Sequence, residues 1–388
     1  MTSPEDKFLG TVLVTGGAGI VGSHVVGDLV KHPACGKVIA TYHSQKSHQH
    51  SCPGVDYHVC DITNPTELRR LLDDTQPKVV IHTVSPGPFA RSEVQHRINY
   101  TATKELVEQV KAHPAVQALI YTSSVEATIL RSGRSSKGET EEEAILNTLD
   151  SGTAISSYGR TKGAADALVL AANTGRDSAS TSPSHEGRLL TTTLRVGGLY
   201  GERDLKTMWE ILKCVNTSAT RFQIGPDKEL FDWVYTANVS QAHVLAAVAL
   251  MDPAHPSRTD PALKTDGEGF FVTDDSPMKF WEFSRKVWIH GGDKYLNSSE
   301  NPRIIQIPFW ALMMPVSAGN LLRKFMKSGA PEMKLSRHHL ELMKAGSRVS
   351  SEKAKIRLGY RPVCDTEEGI KKSVAWFMQQ ENEVWFKE

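Results

Sequence analysis

Tyr158, Lys162 and Ser124 are the side chains whose types and spacing could do chemistry. Tyr158 and Lys162 are four residues apart, so on a helix predicted from about 154 to 173 they share one face. A tyrosine near its ordinary pKa of ~10 is a poor base at neutral pH, but a nearby ammonium group favours the phenolate. Ser124 ends a predicted strand, where its hydroxyl can hold a substrate oxygen during proton transfer. These groups predict acid–base chemistry on an alcohol or a ketone.

A glycine-rich stretch at residues 15–22 predicts a binding site for a dinucleotide. It follows an apolar run at 11–14 and opens into residues 20–31, where apolar residues recur at helical spacing. The first glycine permits a tight turn, the second lets the backbone approach a pyrophosphate, and the third lets the helix pack closely on the strand. The exposed N–H groups and the helix dipole then face the phosphates. The predicted contacts are Gly16, Gly19, Ile20 and Gly22.

The elements that must position these residues alternate along the chain. Apolar runs typical of buried strands alternate with helical stretches such as 93–111, which is the pattern of βαβ units. We therefore predict an α/β fold, a doubly wound Rossmann-type parallel sheet with a smaller C-terminal lobe that caps the substrate. Residues 1–198 are expected to bind the nucleotide, with 231–250 returning to that domain, and 199–388 to bind the substrate. Further strands are predicted at 37–42, 55–59, 78–83 and 118–124.

Residues after two of these strands are expected to contact the dinucleotide, because ligands of such sheets bind outside the carboxyl ends of the strands. Asp61 and Ile62 follow the third strand, where the carboxylate could accept a hydrogen bond from the adenine amino group. His82, Thr83 and Val84 end the fourth strand and should border the nicotinamide half.

The loop after the second strand bears on the choice between NAD and NADP. An acid is expected on the ribose about twenty residues past the glycines, but residues 42–46 contain none. Without that charge a 2′-phosphate meets no repulsion, and Ser44, Lys46 or a protonated His43 could bind it. The sequence favours NADP, and the alternative is a solvated loop in an enzyme that accepts either cofactor.

Longer stretches carry a resemblance to a known family. They are residues 81–86, 99–103, 121–124, 221–225, 230–239, 242–247, 270–277 and 358–362. On these stretches the chain resembles the 3β-hydroxysteroid dehydrogenase family of the extended short-chain dehydrogenase/reductases. Within that family it is most similar to the fungal branch of decarboxylating sterol-4α-carboxylate 3-dehydrogenases.

The resemblance implies an activity and a set of roles. The family oxidises a 3β-hydroxyl on a sterol or fused-ring terpenoid to the 3-ketone, with a nicotinamide cofactor accepting the hydride. By resemblance, Tyr158 is the acid/base, Lys162 its activator and Ser124 the group that orients the hydroxyl, while Asn99 is the helix-bending, proton-relay position. If the adjacent carbon bears a carboxylate, the product is a β-keto acid, which loses carbon dioxide without further machinery.

Two departures from the family pattern suggest a divergent member that serves a specialised fungal terpenoid pathway. Val196 stands where the family usually has proline, and the acid on the ribose is missing. Two alternatives remain open. One is a ketoreductase or epimerase of the same fold acting on another metabolite or a nucleotide sugar, although no convincing basic pair for a second pyrophosphate follows Gly201 beyond Arg203. The other is a non-catalytic dinucleotide sensor.

Composition limits the partners of this 388-residue chain. A formal net charge of +1 without a basic block argues against nucleic acid as a partner. The five scattered cysteines predict reduced thiols, and the polar N-terminal residues lack a secretory signal, so we expect a cytoplasmic protein. Histidines 43, 48, 50 and 58 are irregularly spaced and predict a solvated loop with no metal.

An apolar segment at residues 304–324 raises the question of a membrane. Pro308 and Pro315 interrupt it, so it falls short of the ~20 apolar residues that a spanning helix needs. A helix that lies in the membrane interface, peripherally at the endoplasmic reticulum, and a helix that packs on the protein's own core are both open interpretations. A homodimer is a further expectation.

Overall fold

The computed structural model describes residues 7–43, 52–129, 138–152, 156–175, 188–298, 300–309 and 342–379. In these ranges the strands are β1 (Gly10–Thr15), β2 (Cys35–Tyr42), β3 (Asp56–Val59), β4 (Val79–His82), β5 (Ala118–Ser124), β6 (Leu190–Val196), β7 (Gly198–Tyr200), β8 (Phe222–Ile224), β9 (Leu230–Phe231), β10 (Trp233–Tyr235), β11 (Glu268–Val272), β12 (Met278–Lys279) and β13 (Ile305–Ile307). Seven strands form one sheet in the order β11-β6-β5-β4-β1-β2-β3. Every neighbouring pair in it is parallel. The predicted doubly wound parallel sheet is confirmed.

Helices cover both faces of this sheet. They are α1 (Ile20–Lys31), α2 (Pro65–Thr75), α3 (Ser92–Gln95), α4 (Thr103–Ala112), α5 (Ser157–Ala171), α6 (Met208–Leu212), α7 (Thr236–Met251), α8 (Phe280–His290), α9 (Lys294–Asn297), α10 (Glu352–Leu358) and α11 (Thr366–Gln379). The apolar faces of α1 and α7 pack together on one side of the sheet. Those of α2, α4 and α5 pack on the other side. Strands covered on both faces must be apolar throughout, as the fully buried Val12, Leu13 and Val14 of β1 are.

Two features of the sheet and its helices were not predicted. The seventh strand, β11, pairs with β6 although its residues lie in the part of the chain assigned to the C-terminal lobe. The helix predicted at 93–111 is continuous but contains a π-helical segment, His96–Ala102, between α3 and α4. A π segment holds one extra residue in the turn and changes which side chains face inward.

The C-terminal lobe is organised around small sheets and aromatic side chains. β7 pairs with β10, β8 with β13 and β9 with β12. The rings of Trp233 and Phe283 stack with centroids 3.8 Å apart, and the fully buried Tyr200 packs edge-on against Phe283 at 5.1 Å. These aromatic residues therefore form the core of the lobe.

The predicted apolar segment 304–324 is described only up to residue 309, and there it forms β13. Its remaining residues, and with them the interfacial helix, lie outside the described ranges. Within those ranges no helix is long and apolar enough to cross a bilayer.

Candidate active site

The N-terminus of α5 sets the position of Tyr158. Ser156 caps the helix by accepting a hydrogen bond from the amide of Gly159 at 3.0 Å, and its own hydroxyl donates to the Glu126 carboxylate at 3.2 Å. Gly163 lets α5 approach the segment after β5, since a Cβ there would lie 2.3 Å from the backbone oxygen of Asn147. Tyr158 is thereby placed beside the carboxyl end of β5.

Ser124 and Tyr158 meet at that strand end, and their roles in catalysis stay predictions. The Ser124 hydroxyl oxygen accepts a hydrogen bond from the Glu126 amide at 3.2 Å, which leaves its proton available to another acceptor. Burial raises the pKa of the Tyr158 phenol, and the Glu126 carboxylate raises it further. Hydrogen bonds with the hydroxyls of Ser124 and Ser85 act in the opposite direction. The neutral phenol is therefore the resting form.

Lys162 lies on the same face of α5 one turn further along and is 2% exposed. Its Nζ donates to the backbone oxygen of Thr122 at 2.7 Å and to the Tyr121 hydroxyl at 3.1 Å. Burial lowers the pKa of the ammonium group to about 7, and the nearby Asp166 acts against that shift. These contacts hold the ammonium group against β5, so its predicted role beside the phenolate stays a prediction.

Asp166 continues the polar face of α5 by one more turn, and sequence reasoning missed it. Its carboxylate accepts two hydrogen bonds from the Arg195 guanidinium, both at 3.0 Å, and one from the Thr193 hydroxyl at 3.1 Å. All three residues are buried. The spacing of Tyr158, Lys162 and Asp166, each four residues apart on one face, is the signal that could have found this acid.

Asn99 lies in the π-helical segment and is fully buried. Its Oδ1 accepts a hydrogen bond from the Ser85 hydroxyl at 3.0 Å, and its Nδ2 donates to the Thr161 hydroxyl at 3.3 Å. The bent helix thus directs Asn99 toward the neighbourhood of Tyr158. Ser85 was not singled out from the sequence, although a hydroxyl following a strand at this edge of the sheet is the kind of residue that contacts a ligand.

The glycine-rich loop has the geometry that a dinucleotide pyrophosphate requires. Gly16 has φ 75°, in the region that favours glycine. A Cβ on Gly22 would lie 2.2 Å from the backbone oxygen of Gly16, so only glycine permits this approach of α1. Gly19 is the N-cap and no described side chain caps the helix, so the N–H groups from Ile20 onward can receive phosphate oxygens. The residues present therefore fit the group.

Thr83 and Val84 border this loop. The Thr83 hydroxyl donates to the backbone oxygen of Thr15 at 2.8 Å. A Cβ on Gly16 would lie 2.9 Å from a methyl group of Val84. Both residues thus lie beside the glycine-rich loop, and their contact with the nicotinamide half stays a prediction.

His82, in contrast, lies inside the protein. Its ring nitrogens face the hydroxyls of Thr15 at 2.6 Å and Thr103 at 3.1 Å. Burial lowers the pKa of the imidazole to about 3, and the positive charge of Lys162 contributes. His82 is thus a neutral, buried residue of the sheet that supports the glycine-rich loop through its contact with Thr15.

The adenosine side of the site is described in part. The Asp61 carboxylate accepts hydrogen bonds from the amide and hydroxyl of Thr63 at 2.9 and 2.8 Å and is partly exposed, while Ile62 is buried. Asp61 can therefore still accept a hydrogen bond from an adenine. Ser44 and Lys46, on which the preference for NADP depends, lie outside the described residues.

The model of one protein family matches residues 13–299, and its description is the 3-beta hydroxysteroid dehydrogenase/isomerase family. The chain belongs to this family. The resemblance inferred from the motifs is confirmed, and membership makes the protein an oxidoreductase that acts on a CH–OH group.

Curated relatives of this member of the 3-beta hydroxysteroid dehydrogenase/isomerase family match it over nearly their whole length. Sterol-4-alpha-carboxylate 3-dehydrogenase, decarboxylating, of Saccharomyces cerevisiae is 29% identical over 374 residues, which cover 94% of this chain and 97% of the relative. The Bos taurus protein of the same name is 29% identical over 367 residues, which cover 94% and 91%.

Solved structures support the fold. UDP-glucose 4-epimerase of Thermotoga maritima has a TM-score of 0.67 at 20% identity and covers 95% of this chain and 99% of its own. dTDP-glucose 4,6-dehydratase of Bacillus anthracis, solved in complex with NAD, has a TM-score of 0.64 at 17% identity and covers 96% and 97%. At these identities the likeness is one of fold.

Proposed function

We propose that this protein catalyses the NAD(P)-dependent oxidation of a 3β-hydroxyl on a sterol or fused-ring terpenoid to the 3-ketone. The observation that carries the proposal is the meeting of the Tyr158 phenol and the Ser124 hydroxyl at the sheet edge that also holds the glycine-rich loop. Membership of the 3-beta hydroxysteroid dehydrogenase/isomerase family and the names of its relatives support the same reaction.

In this mechanism the protein moves one proton. The Ser124 hydroxyl holds the substrate oxygen, and Tyr158 as phenolate takes the proton of the substrate hydroxyl. When bound, an oxidised nicotinamide would accept the hydride from the carbon that bears this hydroxyl. It would also place a positive charge near the phenol. Lys162, kept partly protonated by Asp166, adds a second positive charge below the site. In this proposal the two positive charges act together with the hydroxyl groups of Ser124 and Ser85 against burial and the Glu126 carboxylate, which raise the pKa of the phenol.

Decarboxylation follows from the substrate. When the carbon next to the new ketone bears a carboxylate, the C–C bond to that carboxylate breaks, carbon dioxide leaves, and the electron pair passes into the ketone as an enolate. A proton from water then adds to the enolate carbon and restores the ketone. No further catalytic group is needed, in agreement with the decarboxylating relatives.

A second candidate substrate is a 3β-hydroxy terpenoid of a specialised fungal pathway. Val196, at the end of β6, lacks the rigid ring of the proline that the motif resemblance leads us to expect, which supports a divergent pocket beside the nicotinamide. We keep NADP as the favoured cofactor on the missing acid after β2.

The test is an incubation with NAD or NADP and either a 3β-hydroxy-4-carboxy sterol or a 3β-hydroxy terpenoid. Mass spectrometry should find the loss of two hydrogens, and with the carboxylated sterol the loss of carbon dioxide as well. If neither class of substrate is oxidised with either cofactor, the proposal fails. Oxidation of the terpenoid alone would assign the protein to the specialised pathway.

A further inference from the structure

The Lys162 ammonium group is held at two points by strand β5. Its Nζ donates to the backbone oxygen of Thr122 at 2.7 Å and to the Tyr121 hydroxyl at 3.1 Å. An ammonium group has three N–H donors, and no acceptor for the third lies among the residues that the structure describes. Because the four-carbon side chain of lysine is flexible, these two partners determine where the charge lies. Of the two, only Tyr121 contributes a side chain.

The ring of Tyr121 also contacts the ammonium group and is itself fixed. Nζ of Lys162 lies over the ring, 4.6 Å from its centroid, which is a cation–π contact. On β4, the imidazole of His82 stacks with the same ring, with centroids 5.6 Å apart and planes inclined by 23°. Hydroxyls of Thr15 and Thr103 hold that imidazole, and both rings are fully buried. The Tyr121 hydroxyl is therefore held in one place.

The charges around Lys162 make the hydroxyl of Tyr121 important. The titratable or charged groups near the ammonium group are His82 on β4, Tyr121 on β5, Tyr158 and Asp166 on α5, and Arg195 on β6, which pairs with Asp166. Burial raises the pKa of the Tyr121 phenol and lowers that of the His82 imidazole, so both rings are neutral. Burial also lowers the pKa of Lys162 to about 7. A hydrogen-bond acceptor on the ammonium group opposes this loss of charge.

On the basis of the proposed function, we propose that Tyr121 is a positioning residue for the oxidation, whose hydroxyl and ring fix the Lys162 ammonium group against β5 and keep it charged. Tyr121 takes part in no proton transfer. It acts through Lys162, whose positive charge one helical turn from Tyr158 favours the phenolate.

The first test compares Y121F with Y360F. Phenylalanine at 121 keeps the ring that stacks with His82 and lies under the ammonium group, so the change removes only the hydroxyl. The control removes the hydroxyl of another fully buried tyrosine, which donates to the backbone oxygen of Thr273 at 2.8 Å in the segment after α10. Y360F should keep the wild-type pH profile.

In Y121F the pKa of Lys162 should fall by about one unit from about 7, so its charged fraction at pH 7 falls about fivefold. We expect kcat at pH 7 to fall by about the same factor, with KM for the alcohol unchanged. The ratio to wild type should return toward one near pH 5, where the ammonium group is charged in both proteins. A ratio that is the same at every pH would overturn the proposal in favour of a structural role.

A double-mutant cycle tests whether Tyr121 acts through Lys162. In a K162M background the substitution Y121F should cause no further loss of kcat, because the charge that it affects is absent. If Y121F lowers kcat by the same factor in both backgrounds, the two residues act independently and the proposal is wrong.

The last test does not depend on turnover. With lysine labelled by carbon-13 at Cε, the Lys162 signal is assigned by its loss in K162M and followed with pH. Its midpoint should lie about one pH unit lower in Y121F and stay at the wild-type value in Y360F. An unchanged midpoint in Y121F would overturn the role of Tyr121. If the wild-type protein oxidises none of the substrates, the proposed function fails, whereas a lowered midpoint still supports the hold of Tyr121 on Lys162.

Discussion

At the scale of single residues, the chemistry depends on a phenol whose surroundings oppose its ionisation. Burial and the Glu126 carboxylate raise the pKa of Tyr158, and hydroxyl donors lower it. Glu126 is a titrating group in its own right, because burial raises the pKa of its carboxyl to about 7 even though it accepts a hydrogen bond from Ser156. Its charge therefore changes in the pH range in which the enzyme is expected to work.

E126Q should make Tyr158 a stronger acid above neutral pH. Above about pH 7 the wild-type carboxylate is ionised and raises the phenol pKa, whereas the amide of the variant carries no charge. The rise of kcat with pH should move down by about one pH unit, equivalent to about 1.4 kcal/mol of interaction. Steady-state rates from pH 6 to 10 measure this shift.

The control for this experiment is E108Q, which neutralises an exposed carboxylate on α4. It should leave the profile unchanged. An E126Q profile that coincides with that of the wild type, or that moves to higher pH, would show that Glu126 does not govern the ionisation of Tyr158.

At the scale of elements, α1 contains one glycine that leaves no room for a side chain and one that does. A Cβ on Gly22 would lie 2.2 Å from the backbone oxygen of Gly16, whereas a Cβ on Gly27 meets nothing within 4 Å. G22A should abolish cofactor binding or prevent folding, because backbone atoms would have to move. G27A should raise the free energy of unfolding by about 0.5–1 kcal/mol, since alanine is the better helix former.

These two variants are compared by cofactor titration and by urea denaturation. The contrast between them is the prediction, because both add the same methyl group to the same helix. Unchanged cofactor affinity in G22A would contradict the assignment of the α1 N-terminus as the pyrophosphate site.

The elements also show how far the sequence could lead. The bounds of α1 and of β5 agree with the predicted ones because apolar periodicity and flanking glycines mark them clearly. The π segment His96–Ala102 was not predicted, since one extra residue barely alters the apolar pattern over 93–111. The backbone of the structure shows it, and the resemblance had marked only Asn99, within it, as a helix-bending position.

At the scale of the whole molecule, Asp274 connects the parallel sheet to the C-terminal helices. Its carboxylate follows β11 and accepts hydrogen bonds from the Tyr200 hydroxyl at 2.7 Å, the Tyr235 amide at 2.8 Å, the Asn238 side chain at 2.6 Å and the Thr366 hydroxyl at 3.3 Å. Burial nonetheless raises the pKa of the carboxyl to about 6.

D274A should lower the free energy of unfolding by about 3 kcal/mol or more, since each buried donor left without an acceptor costs about 1–3 kcal/mol. The pKa of Asp274 is higher in the folded protein than its ordinary value of 3.8, so the folded state holds the proton more tightly. The stabilisation is therefore complete below pH 3.8 and declines as pH rises through about 6.

Urea denaturation at several pH values measures this effect, with D150A at an exposed position as the control. The difference between wild type and D274A should shrink as the pH rises from 4 to 7. A difference that grows over this range would mean that the folded protein favours the ionised carboxylate.

Long-range contacts account for what the sequence did not reveal. The candidate site was predicted through Tyr158, Lys162 and Ser124 because local spacing and strand ends place them. Ser85 and Asp166 were missed because their partners, Asn99 and Arg195, lie on other elements, although a strand end and the spacing along α5 are local signals that could have marked them. The pairing of β11 with β6 was not predicted for the same reason, since it joins residues that lie far apart in the sequence.

The central claim is that Tyr158 exchanges the proton of a secondary alcohol, and Y158F tests it most directly. With saturating cofactor and the hydroxylated sterol or terpenoid, the appearance of reduced nicotinamide should slow by about 10²-fold or more, the size of a general acid–base contribution. The cofactor Kd should stay at the wild-type value. Turnover of Y158F within a few-fold of wild type would contradict the account.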